Sequence, residues 1–181
     1  AKEEIMLKPF FKYYGSKYNL SACYPSPKHS TIIEPFAGSA AYSLRYPHKD
    51  IILCDLNEDI CSLWDYLINV RAKEISNLPL LGLNDHIDDF KICKEAKLLI
   101  GFWLRYATAA PNVTMSPTVF KYQNKYPSMC YGWSSATKQR IINQLDHIRH
   151  WKVINCHYED LKNTQCTWFI DPPYQEKGYK Y

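Results

Sequence analysis

Four short stretches hold the groups able to do chemistry, and they follow one another along the chain: KYYGSK at 12–17, EPFAGSAA at 34–41, CDLNED at 54–59 and FIDPPY at 169–174. In the second, Gly38 follows an apolar run. A glycine there permits close backbone approach, and a helix after it would offer free N–H groups, which is how a nucleotide site begins. FAGSAA is not GxGxxG, so a pyrophosphate-binding dinucleotide site is disfavoured. In the third, Asp55 closes a strand and can accept both hydroxyls of a ribose. Helix capping by Asp55 and Asn57 is the alternative reading. In the first, Lys12 and Lys17 flank Tyr13 and a flexible Gly15, groups suited to holding a carboxylate and packing a planar or sulfonium-bearing ligand. In the last, a single carboxylate, Asp171, leaves an apolar run at a corner made rigid by Pro172 and Pro173, although a plain Asp-Pro turn would look the same.

Such groups converge only if strand ends hold them. TIIEPF predicts a strand over Thr31 to Phe36, then a turn around Gly38 and a small-residue helix that stops before Pro47. Ile51 to Leu56 predicts a second strand. Asn57 is its plausible helix N-cap, with Glu58 and Asp59 in the first turn before the helical spacing of Ile60, Leu63, Trp64, Leu67 and Ile68. Two β-then-α units in succession predict an α/β fold with a parallel sheet. From Arg71 to Thr137 helical pieces give way to PNVTMSPTVFKYQNKYPSMCYGWSS, broken by Pro111, Pro117, Pro127 and Gly132, which predicts an inserted, mainly helical subdomain ending in a long irregular loop. A helix over SATKQRIINQLDHIRH, a strand KVINC and a strand CTWFID then resume the βα pattern.

The 181 residues favour one domain with a substantial core, and nothing in them reads as a membrane span or a secretory leader. A soluble, intracellular protein is expected. Its seven cysteines contain no CxxC pair, which favours reduced, buried thiols over a disulfide framework. His147 and His150 lie near Asp146 but lack a further ligand pair, so no metal is expected. The net charge of +4 is unevenly spread: 101–152 carries +6, from Arg105, Lys121, Lys125, Lys138, Arg140, Arg149 and Lys152 against Asp146, and the remainder about −2. A basic block in a nearly neutral chain points to a polyanion, with a solvated lysine face as the alternative.

PFFKYYGSK, IIEPFAGSAA, CDLNEDI and FIDPPY, in this order, resemble the Dam-type (D12 class) DNA adenine-N6 methyltransferases that use S-adenosylmethionine. The resemblance implies a Rossmann-like class I methyltransferase sheet, with strand order 3-2-1-4, built from 1–70 plus 138–181, and a target-recognition subdomain over 71–137. It implies cofactor contacts from Tyr13 and Lys17, from Glu34, Pro35, Phe36, Ala37, Gly38, Ser39 and Ala40, from Asp55 at the ribose and from Asp171. Ala40 stands where the family usually has a second glycine, which is tolerable if φ there is negative. In that strand order Phe36, Asp55, Tyr158 and Asp171 share the C-terminal ends of the strands, making His157 and Tyr158 candidates for the adenine side of the cofactor pocket. The chemistry then places Asp171 and the Pro172 carbonyl as acceptors for the two N6–H bonds of adenine, Pro173 stiffening the corner and Tyr174 offering a face for stacking. A base in a duplex cannot reach such a site, so it must be flipped out or unpaired.

DNA is the expected partner, in the cytoplasm of a bacterial or phage-infected cell. TVFKYQNKYPSMCYGW interleaves Phe120, Tyr122, Tyr126, Tyr131 and Trp133 with Lys121 and Lys125, which suits phosphate contact and base stacking. A small aromatic core with snorkelling lysines is the alternative. Lys12, Arg105, Lys121, Tyr122, Lys125, Tyr126, Lys138 and Arg140 form the candidate DNA-binding set. The signature of family members reading GATC is not evident, so the recognised sequence stays open. Rival readings are methylation of cytosine N4, disfavoured because the usual cytosine variant carries serine in place of the acid, methylation of RNA, and a non-catalytic DNA-binding protein. Family members continue with further strands and helices after this motif, so the expectation is a chain cut short, lacking an unordered remainder or completed by a partner, with an apolar strand at the sheet edge as it stands; in the complete enzyme QEKGYKY is expected to be a mobile loop closing over the flipped base.

Overall fold

The computed structural model describes residues 5–106 and 108–172. Strands β1 (Thr31–Glu34), β2 (Asp50–Asp55), β3 (Lys152–Asn155) and β4 (Thr167–Trp168) form one sheet in the order β3-β2-β1-β4. Every pairing is parallel: Thr31 to Glu34 lie opposite Asp50 to Leu53, Ile52 to Asp55 opposite Lys152 to Asn155, and Ile32 and Ile33 opposite Thr167 and Trp168. Parallel strands need crossovers and covered faces, and Ile32, Ile33, Ile51 and Leu53 are accordingly buried.

Helix α1 (Glu58–Asn69) follows β2 and buries Ile60, Leu63, Trp64, Leu67 and Ile68. Asn57 begins it by accepting the Asp59 N–H at 3.0 Å, while Glu58 and Asp59 sit at the positive end of the helix dipole. Helices α2 (Ala72–Asn77), α3 (Lys94–Gly101), α4 (Pro117–Lys125) and α5 (Ser135–Gln144) complete the long excursion between β2 and β3. Their apolar faces and the sheet share one continuous core, into which Phe10 and Phe11 are threaded from the N-terminal segment beside Trp64 and Phe102. Trp103 donates its indole N–H to the Phe10 carbonyl at 2.9 Å, fixing the approach of residues 12–17 to the sheet.

Two expectations are corrected. The helix after Gly38 does not form: the chain makes tight turns and a single 3₁₀ segment, Ser43–Arg45. Gly38 at φ 45° and Ala40 at φ 54° both leave the right-handed helical region, and the Glu34 carboxylate takes the Ser43 N–H at 2.6 Å. The negative φ that would make alanine comfortable at position 40 is thus not adopted. Likewise the segment after Pro111 is not irregular throughout. Pro117 begins α4 instead of breaking it, because the first helical position needs no N–H, and the Ser116 hydroxyl accepts the Val119 N–H as an N-cap.

Candidate active site

At the C-terminal ends of β1 and β2 lies a cavity of about 420 Å³, within the roughly 300–1,000 Å³ range of small-molecule sites. Tyr13 and Lys17 line it from the N-terminal segment, Glu34 through Ser39 from the turn after β1, Asp55 from the end of β2, Tyr158 from the turn after β3, and Asp171 with Pro172 from beyond β4. Of the residues expected to meet a cofactor, only Ala40 is absent from the wall; it is fully buried behind the turn. The wall also includes Tyr14, Ser16, Ala41, Leu56, Asn57 and Phe169, which lie within the four stretches but carried no expected cofactor contact, and Cys156, which lies outside them. Pro173 and Tyr174 lie outside the described residues.

The turn is pinned from several sides. Asp55 accepts the Gly38 N–H at 3.0 Å through one carboxylate oxygen and the Asn57 N–H at 2.9 Å through the other. Burial raises its pKa against the pull of these N–H bonds. Each oxygen keeps a second lone pair, so both can still accept from a ligand hydroxyl. Trp64 donates its indole N–H to the Gly38 carbonyl at 2.8 Å. A side chain at Gly38 would stand 3.1 Å from the Tyr13 ring, so the glycine is needed for contact with the ring as well as for its positive φ.

Glu34 is buried, and burial pushes its carboxyl up to about 7 despite the Ser43 bonds. Lys17 Nζ lies 3.4 Å from Asp171 Oδ2 and donates to the Gly15 carbonyl at 3.0 Å. A cation and a carboxylate therefore face each other across one end of the cavity. At the other end Phe36 and Tyr158 rings stand 5.3 Å apart, flat apolar surfaces beside the Asp55 carboxylate.

The basic block resolves residue by residue. Lys138 donates to the Leu78 carbonyl at 2.6 Å, Arg140 to Pro9 at 3.1 Å and Arg149 to Ile68 at 2.6 Å, the last closing the C-terminus of α1. Lys12 donates to the Tyr131 carbonyl and lies over the Trp103 and Tyr106 rings, and burial, then the nearby Arg140, lowers it to about 8. These cations anchor distant backbone. Arg105, Lys121 and Lys125 are exposed. The aromatics also divide: Trp133 is buried and Phe120 packs on the core, whereas Tyr122, Tyr126 and Tyr131 form a surface cluster with centroids 5.6 to 6.3 Å apart.

No group of three or more potential ligands able to hold a metal occurs among the described residues, and no described helix is long and apolar enough to cross a membrane. A family model, the D12 class N6 adenine-specific DNA methyltransferase, matches residues 13–181. A search of curated proteins gives no match.

Proposed function

Because the chain belongs to the D12 class of N6 adenine-specific DNA methyltransferases, we propose that the cavity is its S-adenosylmethionine site and that Asp171 and Pro172 receive the target amine. The observation that carries this reading is the convergence of Lys17, Asp55 and Asp171, from three separate segments, on one cavity beside the Gly38 turn. The donor set fits the cofactor. Lys17 suits its carboxylate, Asp55 its ribose hydroxyls, and Phe36 with Tyr158 its adenine ring. When bound, S-adenosylmethionine supplies an electrophilic methyl group on a sulfonium centre.

An exocyclic amine is a poor nucleophile because its lone pair is delocalised into the base. Acceptors aimed at its N–H bonds localise that density as the new bond forms. Asp171 would accept one N–H and the Pro172 carbonyl the other, with the proline ring fixing the backbone of that acceptor. Lys17, at 3.4 Å from Asp171, orients the carboxylate. The base must leave the duplex to reach this corner. For the DNA face we assign Lys121 and Lys125 to phosphates and the Tyr122, Tyr126 and Tyr131 cluster to stacking, with 71–137 as the target-recognition region. Lys12, Lys138 and Arg140 act there as scaffold.

Titration of the chain with S-adenosylhomocysteine by calorimetry tests the cofactor assignment. Asp55→Asn removes an acceptor from the ribose site and should weaken binding about tenfold to a hundredfold, the usual worth of a hydrogen bond to a charged group. Unchanged affinity in that variant would overturn the assignment.

A further inference from the structure

One feature of the cavity wall has no part in methyl transfer. Cys156 lies just past β3, two residues beyond Ile154, the register partner of Cys54 in β2. Residues 54, 154 and 156 therefore project from the same face of the sheet, and the two sulfurs stand 3.2 Å apart. Cys54 is fully buried, while Cys156 is half-buried and lines the cavity close to Leu56, Asn57 and Tyr158. One thiol is thus reachable from the cofactor site and the other waits behind it.

We infer that Cys54 and Cys156 form a hydroperoxide-responsive dithiol, that its oxidation to a disulfide weakens cofactor binding, and that bound cofactor shields it. The shielding rests on the cofactor assignment above; the dithiol itself does not. In the first step the Cys156 thiolate attacks one peroxide oxygen, the O–O bond breaks, and the departing hydroxide takes up a proton to become water. Cys156 becomes a sulfenic acid. The Cys54 sulfur then displaces hydroxide from it, forming the S–S bond and a second water. Two thiols supply two electrons to one peroxide, so the step is balanced.

Closure from 3.2 Å to a bonded distance of about 2.05 Å draws Cys156 by roughly 1 Å toward Cys54. The turn carrying His157 and Tyr158 is attached directly to it, and with it one wall of the adenine end of the cavity. Burial first, and the adjacent Cys156 thiol second, push Cys54 up to about 12, so the resolving sulfur is mostly protonated at neutral pH. Coupling is reciprocal: if the disulfide weakens the cofactor analogue about tenfold, bound analogue disfavours oxidation of the dithiol by the same factor, raising the couple's reduction potential by about 30 mV for two electrons.

The test exposes the reduced full chain to hydrogen peroxide with and without saturating S-adenosylhomocysteine, blocks remaining thiols, and maps peptides by mass without reduction. The expected result is a joined Cys54–Cys156 peptide pair that dithiothreitol reverses, that Cys156→Ser and Cys54→Ser each lack, and that Cys61→Ala retains. If Cys54→Ser folds poorly, Cys156→Ser carries the comparison. The analogue should slow the cross-link several-fold by covering Cys156, and the oxidised chain should bind it about tenfold more weakly at equilibrium. Oxidation confined to the exposed Cys23 and Cys93, with Cys54 and Cys156 still free, would overturn the dithiol. A cross-link formed equally fast while calorimetry shows analogue bound would overturn the shielding. Reduced chain that binds no analogue would instead refute the cofactor assignment, and the cross-link is read independently of it.

Discussion

Replacing Glu34 by glutamine isolates the electrostatic cost built into the turn that shapes the cavity. Burial holds this carboxyl at about 7 against an ordinary 4.5, a displacement worth about 3 kcal/mol at 1.36 kcal/mol per pH unit. Between those two values the folded chain keeps the proton and the unfolded chain has lost it. Wild-type stability therefore falls as pH rises from about 4.5 to about 7 and stays lowered above it, whereas below 4.5 both states are protonated and the penalty vanishes. Glutamine carries no charge at any of these pH values. Its carbonyl can still accept the Ser43 N–H that the Glu34 carboxylate accepts in wild type. Urea unfolding of both proteins at pH 5 and pH 8 measures the difference. The variant should gain up to about 3 kcal/mol relative to wild type at pH 8, a midpoint shift of about 1–3 M at common urea slopes, and markedly less at pH 5. A variant that is less stable at pH 8, or a difference that does not change with pH, would refute the reasoning.

At Ala40, φ 54° costs an alanine about 1 kcal/mol or more, but the buried methyl returns about 0.8 kcal/mol. Ala40→Gly should therefore stay within about 1 kcal/mol of wild type in thermal or urea unfolding, while Ala40→Val, with a β-branched side chain at positive φ, should lose at least about 2 kcal/mol. On the proposed DNA face, Lys121→Ala and Lys125→Ala should each weaken DNA binding on every sequence alike and reduce the salt slope by about 1; filter binding at several salt concentrations reads both. Lys138→Ala serves as the contrast, since its ammonium is held by the Leu78 carbonyl, and should lower stability without changing that slope.

What could be read from residues alone follows from the range of the forces involved. The apolar runs of β1 and β2, the 3.6-residue spacing of α1 and the Asn57 cap are local signals, and each stands where local rules put it. The turn after Gly38 reads as a helix in the local sequence because its geometry depends on Glu34 reaching Ser43, nine residues on, and on a positive φ at an alanine. Pro117 reads as a breaker because only the Ser116 cap distinguishes a helix start from a loop. Lys138 and Arg140 read as part of a DNA footprint for a similar reason: Lys138 and Leu78 are 60 residues apart, and Arg140 and Pro9 131, so nothing in the local sequence reveals that those charges are already engaged. The cavity residues carried by motifs are legible in the sequence, whereas Cys156 enters the wall only because strand order brings its element beside β2.

The assignment of Asp171 as the acceptor for the target amine is tested most directly by single-turnover transfer of a labelled methyl group to mixed-sequence DNA, with cofactor saturating and enzyme in excess. Asp171→Ala should lower the rate of N6-methyladenine formation at least about a hundredfold, as loss of one well-placed charge-stabilising group does, while DNA affinity stays within about threefold of wild type. A variant that transfers methyl groups at close to the wild-type rate would contradict the account.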